Sequence, residues 1–118
     1  MAVRRRIDAP TGRAAVEAVL AGGGDLATAV RFLLEELAAS EEGHTVEVRV
    51  PPYGAVQAVA GPRHTRGTPP NVIETDAATW VALATGSLAW RDALAADRVT
   101  ASGSRADLTD YLPVRWRA

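Results

Sequence analysis

The chain has 118 residues, which is enough for one domain with a single hydrophobic core. Its 13 basic and 14 acidic residues give a net charge of −1, so no overall field attracts nucleic acid or an anionic membrane. The absence of cysteine excludes disulfides, thiolate nucleophiles and cysteine metal sites, and the absence of lysine excludes a P-loop lysine and a Schiff base.

Two helices are predicted in the first third of the chain, after a basic lead-in over residues 1–10. Asp8 and Pro10 are typical of a helix start, so a first helix should run to about Ala21, where three glycines end it. A second helix of about 14 residues should follow Asp25. Its apolar residues recur at helical spacing: Leu26, Val30, Leu33, Leu34 and Leu37.

The sequence then changes to the period of a β-strand. Residues 45–50 alternate apolar and polar side chains, which predicts a strand with one solvated face, and Pro51-Pro52 ends it. Residues 55–60 predict a second strand, antiparallel to the first, and residues 72–75 predict a third. Three consecutive strands indicate an antiparallel meander.

Two helices and a strand are predicted next. Asp76 should cap a helix that ends at Gly86, and Ser87 should begin another. A fourth strand over residues 98–102 follows this helical crossover, so we expect it to be parallel to a neighbouring strand.

A last helix is predicted to begin at Ser104 and to stop at Pro113. Residues 113–118 are predicted to form a mobile tail, although the apolar ring of Trp116 would favour burial. The apolar face of this helix should consist of Leu108, Tyr111 and Leu112.

These elements predict an α+β fold over residues 1–118. It should be a single mixed, mainly antiparallel sheet of four to five strands, with helices packed on one face. The polar face formed by Glu47 and Arg49 agrees with a sheet that is covered on one side.

The loop GPRHTRGTPPN at residues 61–71 is the first candidate functional segment. Arg63, His64 and Arg66 place two guanidinium groups and an imidazole within four residues, which suits a carboxylate or phosphate. The alternative is a solvated loop whose arginines pair with nearby acidic residues. A catalytic role on an anionic metabolite is a third possibility.

The remaining polar residues give weaker signals. Residues 4–6 are three arginines, but the acidic remainder favours a solvated start over a nucleic-acid contact. Two histidines without cysteine predict no metal site. No run of 18 apolar residues and no signal-peptide core is present, so the sequence predicts a cytoplasmic protein.

The apolar helix faces form the second candidate site. They either fill the core or leave a groove between helices and sheet for an apolar ligand, since the small alanine side chains permit both. The groove candidates are Leu33, Leu37, Trp80, Leu83, Leu88, Trp90, Tyr111 and Leu112.

Residues 71–108 (NVIETDAATWVALATGSLAWRDALAADRVTASGSRADL) resemble the closing half of the sterol-carrier-protein family. A strand that ends in Asp precedes a helix reading TWVALATG, and a short strand ends in Ser-Gly. Upstream, RVPPYGAVQ (residues 49–57) and the loop GPRHTRGTPPN are similar to a compact bacterial, actinobacterial branch of that family. The resemblance covers residues 26–112.

The resemblance implies a mixed sheet of about five strands and a hydrophobic groove for lipids, with no catalytic residues and no cofactor. The leading hypothesis is therefore non-enzymatic binding of a fatty acid, an acyl group or another amphipathic ligand. Arg63, His64 and Arg66 would hold its head group. A homodimerising or protein-interaction module with a filled core, in which Trp116 docks on a partner, is the alternative. A small enzyme or anion-binding protein that uses the loop containing Arg63 and Arg66 is the second alternative.

Overall fold

A computed structural model describes residues 7–61 and 71–117. In chain order, the described residues form α1 (Ala9–Leu20), α2 (Leu26–Ser40), β1 (Val46–Val50), β2 (Gly54–Ala58), β3 (Asn71–Thr75), α3 (Ala77–Thr85), α4 (Trp90–Ala95), β4 (Val99–Ser102) and a 3-10 turn (Thr109–Tyr111). Four helices and one open four-stranded mixed sheet confirm the predicted α+β fold. Of these helices, none is both long and apolar enough to cross a membrane.

Three aspartates begin three of the helices, as the sequence predicts. The side chains of Asp8, Asp25 and Asp76 accept the backbone N–H groups of the threonines three residues later, at 3.2, 3.1 and 2.8 Å. Each threonine hydroxyl bonds to the same carboxylate. The repeated Asp-x-x-Thr spacing therefore satisfies N–H groups that a helix start otherwise leaves unpaired.

These caps predict an acid-sensitive contribution to stability. The threonine hydroxyls lower the pKa of Asp8 and Asp25, and the Thr79 backbone N–H lowers the pKa of Asp76, from an ordinary value of 3.8. A carboxyl whose pKa is lower in the folded state stabilises the protein above its unfolded pKa, and the contribution is lost as the pH falls through the folded pKa.

We therefore expect the urea midpoint to fall below about pH 4. The control replaces the three caps by asparagine, which still caps but does not titrate. Between pH 6 and pH 3, the urea midpoint of this variant should fall less than that of the wild type. An equal pH dependence in the two proteins would contradict the assignment.

The sheet has the order β2-β1-β3-β4, which corrects two predictions about strand direction. Strand β2 is antiparallel to β1, as expected, but β3 lies parallel to the other side of β1. Strand β4 is antiparallel to β3, not parallel to a neighbour. The predicted antiparallel meander is therefore wrong, because β3 enters the sheet on the far side of β1 and not beside β2. The described residues contain four of the roughly five strands that the family resemblance implies.

The two faces of the sheet differ as the alternating pattern predicts. On β1, Val46, Val48 and Val50 are buried, whereas Glu47 and Arg49 are partly exposed and form an ion pair. Helix α2 packs against β2 and against α3 on the buried face, and α1 packs on α2. The helices and the inner face of the sheet thus enclose one core.

Helix α4 begins at Trp90, three residues after the predicted start at Ser87. The backbone N–H groups of Ser87 and Leu88 both donate to the Ala82 carbonyl, at 2.9 and 3.2 Å. These residues therefore close the end of α3 and cannot open the next helix.

The last predicted helix is wrong: its region contains a single 3-10 turn, Thr109–Tyr111. The Asp107 carboxylate accepts the Thr109 backbone N–H at 2.8 Å, so the side chain that should have closed a capping box starts this turn instead. Pro113 follows only two residues after the turn, which leaves no length for helical propagation.

The predicted mobile tail is packed against the domain over its described residues. The Val114 backbone N–H donates to the Ala84 carbonyl of α3 at 2.9 Å, and the Arg13 Nε donates to the Trp116 carbonyl at 3.2 Å. Trp116 is 6% exposed. Its ring is therefore largely covered by residues of its own chain.

Candidate functional site

An apolar pocket of about 460 Å³ lies where the end of α3 meets the start of α4 and the C-terminal segment. Its volume is within the range of small-molecule sites. Apolar residues dominate the lining, which consists of Leu83, Gly86, Leu88, Ala89, Trp90, Arg91, Thr109, Leu112 and Pro113. We call this the first pocket.

The structure divides the eight predicted groove residues between the filled core and two pockets. Leu33, Leu37 and Trp80 lie wholly within the core, away from solvent. The Trp80 indole N–H donates to the Val30 carbonyl at 3.3 Å, so its polar atom is satisfied inside the protein. At these three positions the space between helices and sheet is filled by side chains.

Four of the other predicted residues come together in the first pocket: Leu83, Leu88, Trp90 and Leu112. Tyr111 lies apart from them, at a smaller polar pocket that it shares with Arg105, Asp107 and Asp110. Four of the eight predicted residues therefore line the first pocket, three lie in the core, and Tyr111 lines the small polar pocket. Ligand binding by any of these residues stays a prediction.

Trp90 carries an unsatisfied polar atom. The residue is 5% exposed, and its indole Nε1 has no hydrogen-bond partner among the residues that the structure describes. A buried donor without an acceptor costs about 1–3 kcal/mol. The equivalent atom of Trp80 is paired, so of these two tryptophans it is Trp90 whose N–H lacks an acceptor.

A second pocket of about 470 Å³ lies on the other side of Pro113, which lines both pockets. The sequence does not reveal this pocket, because residues 113–118 predict a tail. The one signal in the sequence for a packed segment here is the large apolar ring of Trp116, which favours burial. The lining consists of Leu20, Thr85, Ser87, Pro113, Val114, Arg115, Trp116 and Arg117.

The wall of the second pocket is held in place by the contacts of the C-terminal segment. Val114 and Trp116 are bonded through their backbones to α3 and α1, as described above. The Arg117 guanidinium lies 4.5 Å from the centre of the Trp116 ring, a cation–π arrangement. Arg115 and Arg117 are both exposed, so their charges face solvent at this pocket.

The predicted head-group residues Arg63, His64 and Arg66 lie outside the described residues. His44 is exposed, and its Nδ1 lies 2.9 Å from the Gln57 Oε1. Within residues 7–61 and 71–117, no group of three metal-ligating side chains is found.

At the small polar pocket, the Thr109 hydroxyl and N–H lower the pKa of Asp107. These hydrogen bonds hold a turn together. They give Asp107 the same kind of environment as the helix caps.

A family model described as a bacterial SCP ortholog matches residues 24–114. This range contains all eight predicted groove residues and nearly coincides with residues 26–112, from which the resemblance to the sterol-carrier-protein family was drawn. No curated protein matches the chain.

Proposed function

Because the chain belongs to the bacterial family of sterol-carrier-protein orthologs, we propose that it binds an apolar or amphipathic small molecule in the first pocket. Membership of this family is consistent with lipid carrying. The observation that carries the proposal is the pocket itself, which is lined by Leu83, Leu88, Leu112 and Trp90, the last with a buried and unpaired indole N–H.

The lining favours a ligand with an alkyl portion. Leu83 is buried, and Leu88 and Leu112 are partly exposed, so apolar surface still in contact with water remains to be covered. Each methylene that a ligand buries contributes about 0.8 kcal/mol. Eight to ten methylenes would contribute about 6–8 kcal/mol, so this burial alone sets micromolar affinity as an upper limit, because the costs of association are subtracted from it.

The Trp90 indole favours a ligand that also carries an oxygen acceptor. An alkane would leave the N–H unpaired, whereas a carbonyl or hydroxyl oxygen could accept it. An amphipathic molecule therefore fits this pocket better than a pure hydrocarbon.

We propose binding without catalysis. Within the part of the chain that the structure describes, the polar side chains in the lining are Arg91, Thr109 and the indole of Trp90, and none is a carboxylate or an imidazole. A nucleophile or general base would need a partner that abstracts or relays its proton, and these residue types do not provide one.

The first experiment is to measure the native mass of the gently purified protein and to identify what organic solvent extracts from it. A stoichiometric acyl or isoprenoid adduct is the expected result. A protein of bare mass that takes up neither a fluorescent fatty acid nor its alcohol at tens of micromolar would overturn the proposal.

Truncation of a pocket leucine should weaken binding. Leu88→Ala removes apolar contact from the first pocket, and we expect about tenfold weaker binding of decan-1-ol, measured by calorimetry. The matched control is Leu94→Ala, since Leu94 is 42% exposed on α4 and lines neither pocket. Equal affinities of the two variants would place the alcohol elsewhere.

A further inference from the structure

We infer that Arg115 and Arg117 form an anion-binding subsite next to the first pocket, so that the protein prefers an ionised amphiphile to the uncharged molecule of the same chain length. This inference rests on the proposed function. The two pockets lie next to each other, since Pro113 lines both.

The charges around the two pockets have one sign. Among the described residues, their combined lining contains Arg91, Arg115 and Arg117 and no acidic side chain, although the whole chain has a net charge of −1. Among the described residues, no carboxylate forms an ion pair with these three arginines. The nearest acidic residues in sequence, Asp92 and Asp110, line neither pocket. An anion that enters the second pocket therefore meets guanidinium groups not already neutralised there.

The arginines are carried by an anchored segment. The backbone hydrogen bonds of Val114 and Trp116 fix the segment that carries Arg115 and Arg117. The Arg117 guanidinium is further held over the Trp116 ring. A guanidinium presents several N–H donors in a plane and binds a carboxylate or phosphate through paired hydrogen bonds. Holding the group in place reduces the entropy that binding would otherwise cost.

Apolar surface accompanies the charge. Leu20 is 47% exposed and lines the second pocket together with Val114 and Trp116. A ligand could therefore pass from the first pocket over Pro113 and keep apolar contact up to its acidic group. The chemical class that matches this order of surfaces is an alkyl chain that ends in a carboxylate or phosphate.

The test compares decanoate with decan-1-ol, both below their solubility and micelle limits, by calorimetry at low salt. Arg115→Gln/Arg117→Gln should weaken decanoate binding about fivefold to tenfold and change decan-1-ol binding less than about twofold. The control, Arg31→Gln/Arg105→Gln, removes two exposed arginines that line neither pocket. It should leave both affinities within about twofold of the wild type.

Each other outcome overturns the inference. Equal decanoate binding by the wild type and the Arg115/Arg117 variant would overturn the inference alone, provided that decan-1-ol still binds. An equal loss with the control variant would show a general charge effect. If only the Arg63→Gln/Arg66→Gln variant lost the preference for decanoate over decan-1-ol, the anion would bind at the loop of residues 61–71 instead. Binding of neither compound would overturn the proposed function as well. Thermal unfolding checks that each variant is folded.

Discussion

Trp80→Phe should destabilise the protein by about 2–4 kcal/mol, whereas Trp90→Phe should change its free energy of unfolding by less than about 1 kcal/mol. Trp80 is wholly buried, and its N–H is paired with the Val30 carbonyl. The smaller ring leaves a cavity between α2 and α3 and removes a hydrogen bond. At Trp90 the same change removes a donor that has no described partner, which offsets the lost packing.

Urea unfolding of both variants measures this difference, with the slope m compared to detect altered compactness. The binding measurement should rank the variants in the opposite order. Trp90→Phe should weaken decan-1-ol binding about threefold to tenfold because a hydrogen bond to the hydroxyl is lost, while folded Trp80→Phe should bind as the wild type does. Similar losses of stability in the two variants would contradict the division of these tryptophans between core and pocket.

This division marks the limit of what apolar spacing can predict. The periodicity of Leu33, Leu37 and Trp80 indicates a buried helix face, and that face is buried. Periodicity does not say what covers a residue, so Leu33 and Leu112 have the same signal in the sequence. The first pocket depends on how the Gly86–Ala89 connection meets residues 109–113, which is a tertiary arrangement.

The strand directions show the same limit. Alternation on β1 predicts which side chains face the core, and Val46, Val48 and Val50 do so. It carries no information about the neighbouring strand, because a strand beside either edge of β1 presents the same faces. The starts of α1, α2 and α3 were predictable for a different reason: the Asp-x-x-Thr caps are local interactions, and their partners lie three residues apart.

The backbone around residue 43 is a further feature that sequence patterns did not reveal. Val59 has a φ of 73°, which is uncommon for a β-branched residue, and Gly43 has a φ of 152°. The Val59 N–H donates to the Glu41 carbonyl at 2.7 Å, and the Thr45 N–H donates to the Val59 carbonyl at 3.1 Å. These two bonds draw the end of β2 against the segment that joins α2 to β1.

Gly43→Ala should therefore destabilise the protein by about 3–4 kcal/mol. A Cβ at this position would overlap the carbonyl group of Val59, and backbone cannot rotate away as a side chain can. The left-handed region adds strain for alanine. Relief would require breaking the Val59 bonds to both Glu41 and Thr45, which join the entrance of β1 to the end of β2.

Thermal unfolding should show a Tm at least about 10 °C lower for this variant. The matched control is Gly23→Ala, where the added Cβ meets nothing within 4 Å and the residue is exposed. That change should alter the free energy of unfolding by less than about 0.5 kcal/mol. Equal effects of the two substitutions would contradict the contact between residues 43 and 59 as the source of the cost, because the loss of freedom in the unfolded chain is common to both and favours the folded state.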